Sequence, residues 1–547
     1  MNDYIDHTHD ESSSGHGGSP GSAAPHDHEE YGRQYFLPGK IILHFANTAG
    51  INEVKLAEVI SRTVEELGEG YVKSVDPCAI LNFPSGADQG SGLSIVPVEL
   101  TSTSQENLIK ALLQIYNRLR EKPVDLAEGV SLKSVSPNWL LGSAVHGAHP
   151  PSPGSWPVPP APTVKNWKFS LVAKDSHASR ELPFSEEAGA NVHVAILDTA
   201  PSALDLEEAY ERWQNTNDLI KRLLDPTGKL RVIREIYTDI ELLDYSLEGH
   251  RYWMADHGLF IAGEIESIAS KAIKKIHLIK VFTSYGSAST ETIAQGLRHI
   301  LTDPEVGRPL IVNCSFGLAA PVPGHDDPDF PVELRDPAIL EHMQTSLRAL
   351  FDQLTNQNEV IVVAAAGDDT EPGKPRVPAR VPAAYENVIG VGAAPKDLPP
   401  GKSPYQAASY SNLADNPPET GFVTVGGEPG RGRGVLGIFT SELPNFHPKQ
   451  GENWPGPGHL PPSPPPLTRD RIGYKRNQKG LVEWAGASFA APIITGILAN
   501  WCSEQVSARA LGQPFQDITL ANARQALTGM SEGTTDATEH VILVTQG

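Results

Sequence analysis

Cysteine is scarce in this sequence. Only three of the 547 residues are cysteines, namely Cys78, Cys314 and Cys502. Because their number is odd and their spacings are wide, the sequence argues against a disulfide framework and a cysteine-based zinc site. This cysteine content fits a protein of a reducing compartment.

Long apolar runs are also missing. The sequence has no run of about 18 apolar residues, the length that a membrane-spanning helix requires. Its N-terminus, Met-Asn-Asp-Tyr-Ile-Asp-His, has neither the basic segment nor the apolar segment of a secretory signal. We therefore expect no membrane span and a cytoplasmic location.

Positive charge is in deficit. The 44 lysines and arginines are outnumbered by 66 acidic residues, which gives a net charge of −22. This balance argues against nucleic-acid and anionic-membrane partners. Since 39% of the residues are hydrophobic and 20% are charged, the chain is typical of a globular protein, with room for two or more domains.

The first third of the chain predicts three segments. Residues 1–34 are rich in Ser, Gly, His and acidic residues, which is typical of a disordered tail. Residues 35–142 predict a small α+β domain in the order strand, helix, strand, helix, strand, by their alternation of β-branched runs and helical apolar periods. Residues 143–163 contain seven prolines and predict a semi-rigid linker.

From about residue 190 the pattern changes to short apolar runs alternating with helical segments. The runs cover 192–197, 276–282, 310–314, 360–366 and 388–393, with helix candidates at 292–301 and 340–354. Such alternation predicts an α/β fold with a parallel sheet flanked by helices. We place this domain at 164–547, interrupted by polar or Pro/Gly-rich surface insertions at 205–250 and 398–480.

One run of small residues surrounds a serine. Positions 486–492 read Gly-Ala-Ser-Phe-Ala-Ala-Pro and precede an apolar run. Pro492 fits a first helical turn, where a missing N–H costs nothing. Ser488 would then lie near a helix N-terminus, where free N–H groups favour a developing negative charge. The alternative is a buried helix with an incidental serine.

Two upstream residues are candidate partners for this serine. Asp198 follows the run 192–197, at the edge of a parallel sheet where α/β proteins build their sites. His257 is followed by Gly258 and small residues. A serine hydroxyl needs a base near neutral pKa, which histidine supplies, and a buried carboxylate fixes the imidazole tautomer. For Asp198 alone, a turn or cap role is the alternative.

Three phrases resemble, in order, the catalytic phrases of subtilisin-like serine proteases (subtilases). They read Asp-Thr-Ala at 198–200, His-Gly-Leu-Phe-Ile-Ala-Gly at 257–263 and Gly-Ala-Ser-Phe-Ala-Ala-Pro at 486–492. The resemblance covers about residues 164–530. It implies that Ser488 is the nucleophile, that His257 is the general base and then acid, and that Asp198 orients the imidazole.

The resemblance also implies a substrate-binding strand and an altered oxyanion hole. Asn-Cys-Ser-Phe-Gly at 313–317 is similar to the family's strand that pairs with substrate, through Ser315, Phe316 and Gly317 here. In Ala-Ala-Ala-Gly-Asp at 364–368, Asp368 replaces the family's oxyanion-binding Asn. An ionised Asp cannot donate a hydrogen bond, whereas a protonated one can. Losing this donor costs subtilisin about 10²–10³ in rate, so an acid-shifted or weakened peptidase is expected.

The resemblance therefore predicts a serine endopeptidase that acts on proteins or peptides through an acyl-enzyme. The 35–142 domain, which ends in Pro-Asn-Trp at 137–139, resembles a subtilase propeptide and implies an intramolecular inhibitor. The alternative is a pseudoprotease with a binding role, suggested by Asp368 and by Leu259 and Phe260, which replace the family's Thr and His. No organic cofactor is expected. The acidic run 325–329 is either a calcium loop or simply solvated.

Overall fold

The computed structural model describes residues 35–143, 169–172, 179–180, 189–236, 254–321, 330–441, 443–444, 474–475 and 479–546, apart from short gaps inside the longer ranges, together with residues 157 and 160. The predicted tail 1–34 and almost all of the predicted linker 143–163 lie outside these residues. The described chain forms a smaller α+β domain followed by a larger α/β domain.

The smaller domain alternates strands with two amphipathic helices. Apolar residues recur at helical spacing in each helix and are buried, for example Leu56, Ile60 and Val64 in the first. In chain order its elements are β1 (Phe36–Ala46), α1 (Glu53–Leu67), β2 (Val72–Val75), β3 (Leu81–Phe83), β4 (Leu93–Leu100), α2 (Gln105–Glu121), β5 (Val124–Asp125) and β6 (Ser131–Ser143).

The larger domain contains the remaining elements. In chain order these are β7 (Phe169–Val172), β8 (Ser179–Arg180), β9 (Val192–Asp198), α3 (Ala203–Trp213), α4 (Asp218–Leu224), β10 (Leu230–Ile233), α5 (His257–Ala269), β11 (Ile273–Lys280), β12 (Ser287–Ser289), α6 (Thr290–Thr302), β13 (Leu310–Cys314), β14 (Phe316–Leu318), α7 (Pro337–Thr355), β15 (Val360–Ala365), β16 (Ile389–Ala394), β17 (Phe422–Val425), β18 (Val435–Ile438), β19 (Leu443–Pro444), β20 (Tyr474–Lys475), β21 (Leu481–Trp484), α8 (Ala487–Ala510), α9 (Leu520–Met530), β22 (Gly533–Thr534), β23 (His540–Val541) and β24 (Val544–Gln546).

A mainly parallel sheet forms the centre of the larger domain. Within the described residues its order is β10-β11-β9-β13-β15-β16-β17-β23-β22, parallel from β10 to β23, with β22 antiparallel at the edge. The chain leaves β9 on one side to form β10 and β11, then crosses to its other side for β13. Such a reversal opens a crevice at the carboxyl ends of the strands, which is where α/β proteins bind ligands.

Helices cover both faces of this sheet. Along β9, Val194 and Ile196 pack in a core with α5 and α8, whereas Ala195 and Leu197 pack in a core with α6 and α7. The alternation follows from the two-residue period of a strand. The predicted α/β fold, preceded by an α+β domain, is confirmed.

The sheet of the smaller domain continues into the larger domain. β1 pairs antiparallel with β4 and with β6. The end of β6 lies between β12 and β14 and is antiparallel to both, with Gly142 opposite Ser287 and Gly317, and Ser143 opposite Phe316. The last residues of the smaller domain are thus the middle strand of a ribbon whose edges belong to the larger domain.

Two predicted surface insertions are drawn too broadly. In the described part of 205–250, α4 buries Ile220 and Leu223, and β10 is a strand of the central sheet. Within 398–480, β17 is likewise a strand of that sheet, and Tyr410 is buried. Both strands have only four residues, which is too short for periodicity to separate them from a polar surrounding.

Candidate active site

Asp198 is the last residue of β9, at the carboxyl edge of the sheet. Its carboxylate accepts hydrogen bonds from Nδ1 of His257, at 2.8 Å to Oδ1 and 3.0 Å to Oδ2. The backbone N–H of Thr199 donates to Oδ1 at 2.7 Å. Asp198 is 1% exposed, so these donors replace water as partners of its charge and fix the orientation of the carboxylate.

His257 begins α5 and is packed directly against the end of β9. A Cβ atom on Gly258 would lie 2.3 Å from the carbonyl oxygen of Thr199, so only glycine permits this approach. The Thr199 hydroxyl donates to the carbonyl of Met254 at 2.8 Å and accepts the N–H of Gly258 at 3.2 Å. These contacts hold the histidine in place over the aspartate.

An aromatic cluster surrounds the imidazole. The rings of Trp484 and Phe489 lie 5.5 and 5.3 Å from that of His257. Phe260, which departs from the family pattern, packs 4.6 Å from Phe489 and 5.7 Å from Trp484. Leu259 is also fully buried. The two departures from the family phrase are therefore accommodated by the core, and sequence reasoning missed Trp484.

Ser488 lies in the first turn of α8 and is fully buried. Its hydroxyl donates to the carbonyl oxygen of Ser315 at 3.3 Å. His257 Nε2 has no hydrogen-bond partner among the described residues. The structure thus places the Ser488 side chain beside the substrate-strand candidate and not on the imidazole.

Pro492 is the sixth residue of α8, which begins at Ala487, so the expected position in the first turn is wrong. A proline there has no N–H for the carbonyl four residues earlier, that of Ser488. The Ser315 hydroxyl donates to this carbonyl at 2.9 Å and replaces the missing helical bond. The hydroxyl itself accepts from Asn313 Nδ2 at 2.9 Å, and Asn313 Oδ1 accepts from Thr495 at 2.9 Å.

This hydrogen-bond chain links β13 to two turns of α8, and all its members are buried. Buried polar networks are stable only when each member is satisfied. The sequence signal for this network was Pro492 itself. A proline four residues after Ser488 leaves the Ser488 carbonyl without its helical donor, so a donor from outside the helix is required.

Asp368 follows β15 and is buried beside the start of α8. Its Oδ1 accepts the backbone N–H of Ala487 at 2.9 Å. Burial raises the pKa of this carboxyl well above its ordinary range, nearby Asp369 raises it further, and the Ala487 N–H partly opposes the shift. A neutral carboxyl can donate a hydrogen bond, whereas its ionised form cannot.

Asp256, the residue before His257, is a further buried carboxyl that sequence reasoning missed. Its oxygens accept from the Thr440 hydroxyl at 2.5 Å and from the Ser441 N–H at 2.8 Å. Burial raises its pKa, and these two donors oppose the shift. Asp256 therefore ties the start of α5 to the loop after β18, and its position next to His257 was the only signal in the sequence.

The other predicted residues lie at the end of the smaller domain's strand. Ser315 precedes β14, and Phe316 and Gly317 pair with Ser143 and Gly142. The acidic run 325–329 lies outside the described residues, so calcium binding stays a prediction. No helix in the described part of the chain is long and apolar enough to cross a membrane.

Three comparisons show which known proteins this chain is similar to. The model of the subtilase family matches residues 189–538. No curated protein matches the chain. Among solved structures, the protease domain of PatA is 18% identical, covering 64% of this chain and 94% of that one with a TM-score of 0.34. The prenylagaramide maturation protease PagA is 16% identical, covering 63% and 86% with a TM-score of 0.33.

The family assignment rests on the family model, which spans more than half of the sequence and includes all three residues of the candidate triad. This chain belongs to the subtilase family of serine proteases.

Proposed function

We propose that this protein is a serine endopeptidase that cleaves protein or peptide substrates through an acyl-enzyme on Ser488. The observation that carries the proposal is the buried Asp198–His257 pair at the carboxyl edge of the sheet. With Nδ1–H held by the carboxylate, Nε2 is the nitrogen available to take a proton. Phe489, the neighbour of Ser488, lies 5.3 Å from the imidazole ring.

The serine reaches the base by rotating about its Cα–Cβ bond. In the described state its hydroxyl donates to Ser315 over 3.3 Å, which is long for an O–H···O hydrogen bond. Leaving such a bond costs little, and side chains move between staggered positions. His257 then removes the hydroxyl proton as Ser488 attacks the substrate carbonyl, and later returns it to the leaving amine.

The developing oxyanion is stabilised by the start of α8 and by Asp368. The first N–H groups of a helix have no partner within the helix, which favours an anion at the N–H of Ser488. Neutral Asp368 would supply a second donor, since its burial favours the protonated form. The proposed site is therefore active where Asp368 is protonated and weaker where it ionises.

The smaller domain acts as an intramolecular inhibitor. Its strand β6 fills the space in which a substrate strand would pair with β14. Two further contacts fasten it: Asn138 Oδ1 accepts the N–H of Glu291 at 3.1 Å, and Trp139 Nε1 donates to the carbonyl of Met343 at 2.9 Å. A substrate enters only after β6 leaves.

A pseudoprotease is the alternative, and one observation favours it. Ser488 donates to Ser315, and His257 Nε2 has no partner among the described residues. In this alternative the occupied cleft is permanent, and the fold serves binding alone.

Hydrolysis of an unfolded fluorescent protein separates the two functions. We expect Leu141→Asp, in which a buried charge loosens β6, to hydrolyse it, and Ser488→Ala or His257→Ala in that background each to reduce the rate by about 10⁴-fold or more. A Leu141→Asp rate no higher than that of the same chain carrying Ser488→Ala would favour the pseudoprotease.

A further inference from the structure

A buried ion pair lies beside the proposed site and takes no part in the proposed chemistry. Arg380 Nε and Nη2 contact Asp369 Oδ2 and Oδ1 at 2.6 and 2.8 Å, and the two side chains are 5% and 4% exposed. Asn412 Nδ2 also donates to Asp369, at 2.7 Å. The carboxylate is thus fully used by donors of the protein itself.

The same arginine supports the strand that pairs with β6. Arg380 Nη1 donates to the carbonyls of Leu318 and Ala320 at 2.6 and 3.0 Å. A Cβ atom on Gly317 would lie 2.8 Å from Cδ of Arg380 and 3.0 Å from its Cβ. The aliphatic part of Arg380 therefore lies directly against Gly317, and its guanidinium bridges from β14 to the loop that holds Asp368 and Asp369.

The register of β6 locates the residue that Ser488 would attack. Gly142 is opposite Gly317 and Ser143 is opposite Phe316. A substrate strand in this register places its next residue opposite Ser315, whose carbonyl accepts from the Ser488 hydroxyl. In a bound substrate, the residue that follows the one opposite Phe316 is therefore the residue whose carbonyl Ser488 would attack.

The loop after β15 also reaches the start of α8, through Asp368, and Arg380 bridges from this loop to β14, so a substrate residue opposite Ser315 would face this bridge. We propose that Arg380, held by Asp369, is the specificity-determining residue that limits this position to a small, uncharged side chain. A large side chain would have to displace a buried, bidentate ion pair and leave its charges without partners. A basic side chain would have to compete with Arg380 for the Asp369 carboxylate, and an acidic one with Asp369 for the guanidinium.

The chain's own sequence fits this limit. The chain reads Gly142-Ser143-Ala144, so the residue at the limited position is alanine and the two residues before it are also small. The inference rests on the proposed endopeptidase function and deepens it, because it names the substrates of the same site as those with Gly, Ala or Ser before the cleaved bond.

Two competing peptides test the proposal on the full chain. Both contain Leu-Leu-Gly-Ser, the sequence of 140–143, followed by either Ala or Phe before a common leaving segment. Because both peptides need the same open cleft, the docked smaller domain lowers both rates equally and leaves their ratio unchanged. We expect the wild type to prefer the Ala peptide by about 100-fold.

The double variant Arg380→Gly, Asp369→Asn removes the ion pair without leaving a buried unpaired carboxylate. We expect it to reduce the Ala-over-Phe ratio at least tenfold. The matched control, Arg509→Gly with Glu359→Gln, removes an ion pair that lies on a different part of the chain, at the end of α8, and should keep the wild-type ratio. Thermal unfolding of each variant checks that it is folded.

Several results would overturn the proposal: a wild type that cleaves the Phe peptide as fast as the Ala peptide, a folded double variant with an unchanged ratio, or a control that shifts as much as the double variant. If the double variant does not fold, the wild-type ratio alone decides. Labelling of Ser488 by a fluorophosphonate separates a failure of the proposed specificity from a failure of the proposed endopeptidase function. A labelled enzyme that rejects the Ala peptide contradicts the specificity alone, whereas a folded Leu141→Asp chain, in which β6 is loosened, contradicts the proposed function as well if it is neither labelled nor active.

Discussion

Among single residues, Asp198 and His257 are already paired, whereas Ser488 is bound elsewhere. His257 is bound through Nδ1 to Asp198, while its Nε2 has no partner in the described part of the chain. Ser488 is bound to the Ser315 carbonyl instead. The described state is therefore not an assembled catalytic triad, and under the proposed mechanism the Ser488 hydroxyl must leave the Ser315 carbonyl before it can bind Nε2.

The protonation of Asp368 is the residue-scale feature with a clear pH signature. Burial raises the pKa of Asp368 in the folded chain well above its value in the unfolded chain, which is about 4. Between those two pKa values the unfolded chain has lost a proton that the folded chain keeps, so the free energy of unfolding falls as pH rises. Asp368→Asn removes this loss, because an amide does not titrate and still accepts the Ala487 N–H.

We expect Asp368→Asn to raise the melting temperature relative to wild type at pH 8, by several degrees, and to have little effect at pH 4. Scanning calorimetry at both pH values measures the difference. The exposed Asp536, changed to Asn, serves as the control and should give the same small shift at both. An equal shift for Asp368→Asn at the two pH values would show that burial does not hold its proton.

Much of the site could be predicted from residue types in order. Asp198, His257 and Ser488 have chemistry that few other residues supply, so their spacing in the sequence was informative. Trp484 and Asp256 were missed because a buried aromatic and a carboxylate each have many structural roles. Only the fold shows that one packs on the imidazole and the other fastens its helix to a loop.

At the scale of elements, the start of α8 is fixed from outside the helix. Pro492 cannot donate to the Ser488 carbonyl, and the Ser315 hydroxyl does so instead. The sequence predicted the helix and its serine. It did not predict where the first turn begins. Pro492 is tolerated at the sixth position because Ser315, the residue after β13, donates to the carbonyl that the proline cannot serve.

Removal of the Ser315 hydroxyl should lower both the stability of the fold and the reactivity of Ser488. We expect Ser315→Ala to lower the free energy of unfolding by about 1–3 kcal/mol, since it leaves a buried carbonyl without its donor. We also expect slower labelling of Ser488, whose helical turn is no longer fixed. Urea denaturation and labelling kinetics measure the two effects.

Ser267→Ala is the matched control for this change. Its hydroxyl also donates to a backbone carbonyl, that of Glu264, at 2.7 Å. That carbonyl lies inside α5, where the helix supplies another donor. If Ser315→Ala proves as mild as Ser267→Ala, the hydrogen-bond chain does not fix the serine.

Strand predictions succeeded for long apolar runs and failed for the two four-residue strands β10 and β17. β9, β13, β15 and β16 are buried along their whole length, and their apolar runs were visible in the sequence. β10 is an edge strand with partly exposed residues and an arginine. β17 is central, but it is only four residues long inside a Pro/Gly-rich region, so local composition gave no signal of its pairing.

At the scale of the whole molecule, the two domains share one ribbon of strands. Leu140 and Leu141 are fully buried, and β6 pairs with both β12 and β14. Their pairing joins residues more than 140 positions apart, which no local pattern encodes. The alternation of strands and helices in the smaller domain was visible in the sequence, whereas the register of β6 with β14 required the structure.

A charge in this ribbon should separate the domains. We expect Leu141→Asp to loosen β6, because a buried carboxylate without a partner is costly. Hydrogen exchange of the β12 and β14 amides should accelerate at least about tenfold, since these strands lose their partner. Val54→Asp, at a position 69% exposed on α1, is the control and should not change them. Unchanged protection of β14 in Leu141→Asp would mean that β6 does not cover it.

Covalent labelling by a fluorophosphonate probe tests most directly whether Ser488 is an activated nucleophile. The labelled residue is located by peptide mass analysis in the wild type, Leu141→Asp and His257→Ala. We expect a single labelled residue, Ser488, with faster labelling in Leu141→Asp and none in His257→Ala. If Ser488 remains unlabelled in a folded Leu141→Asp protein whose β14 amides exchange freely, the cleft is open and the serine is not an activated nucleophile.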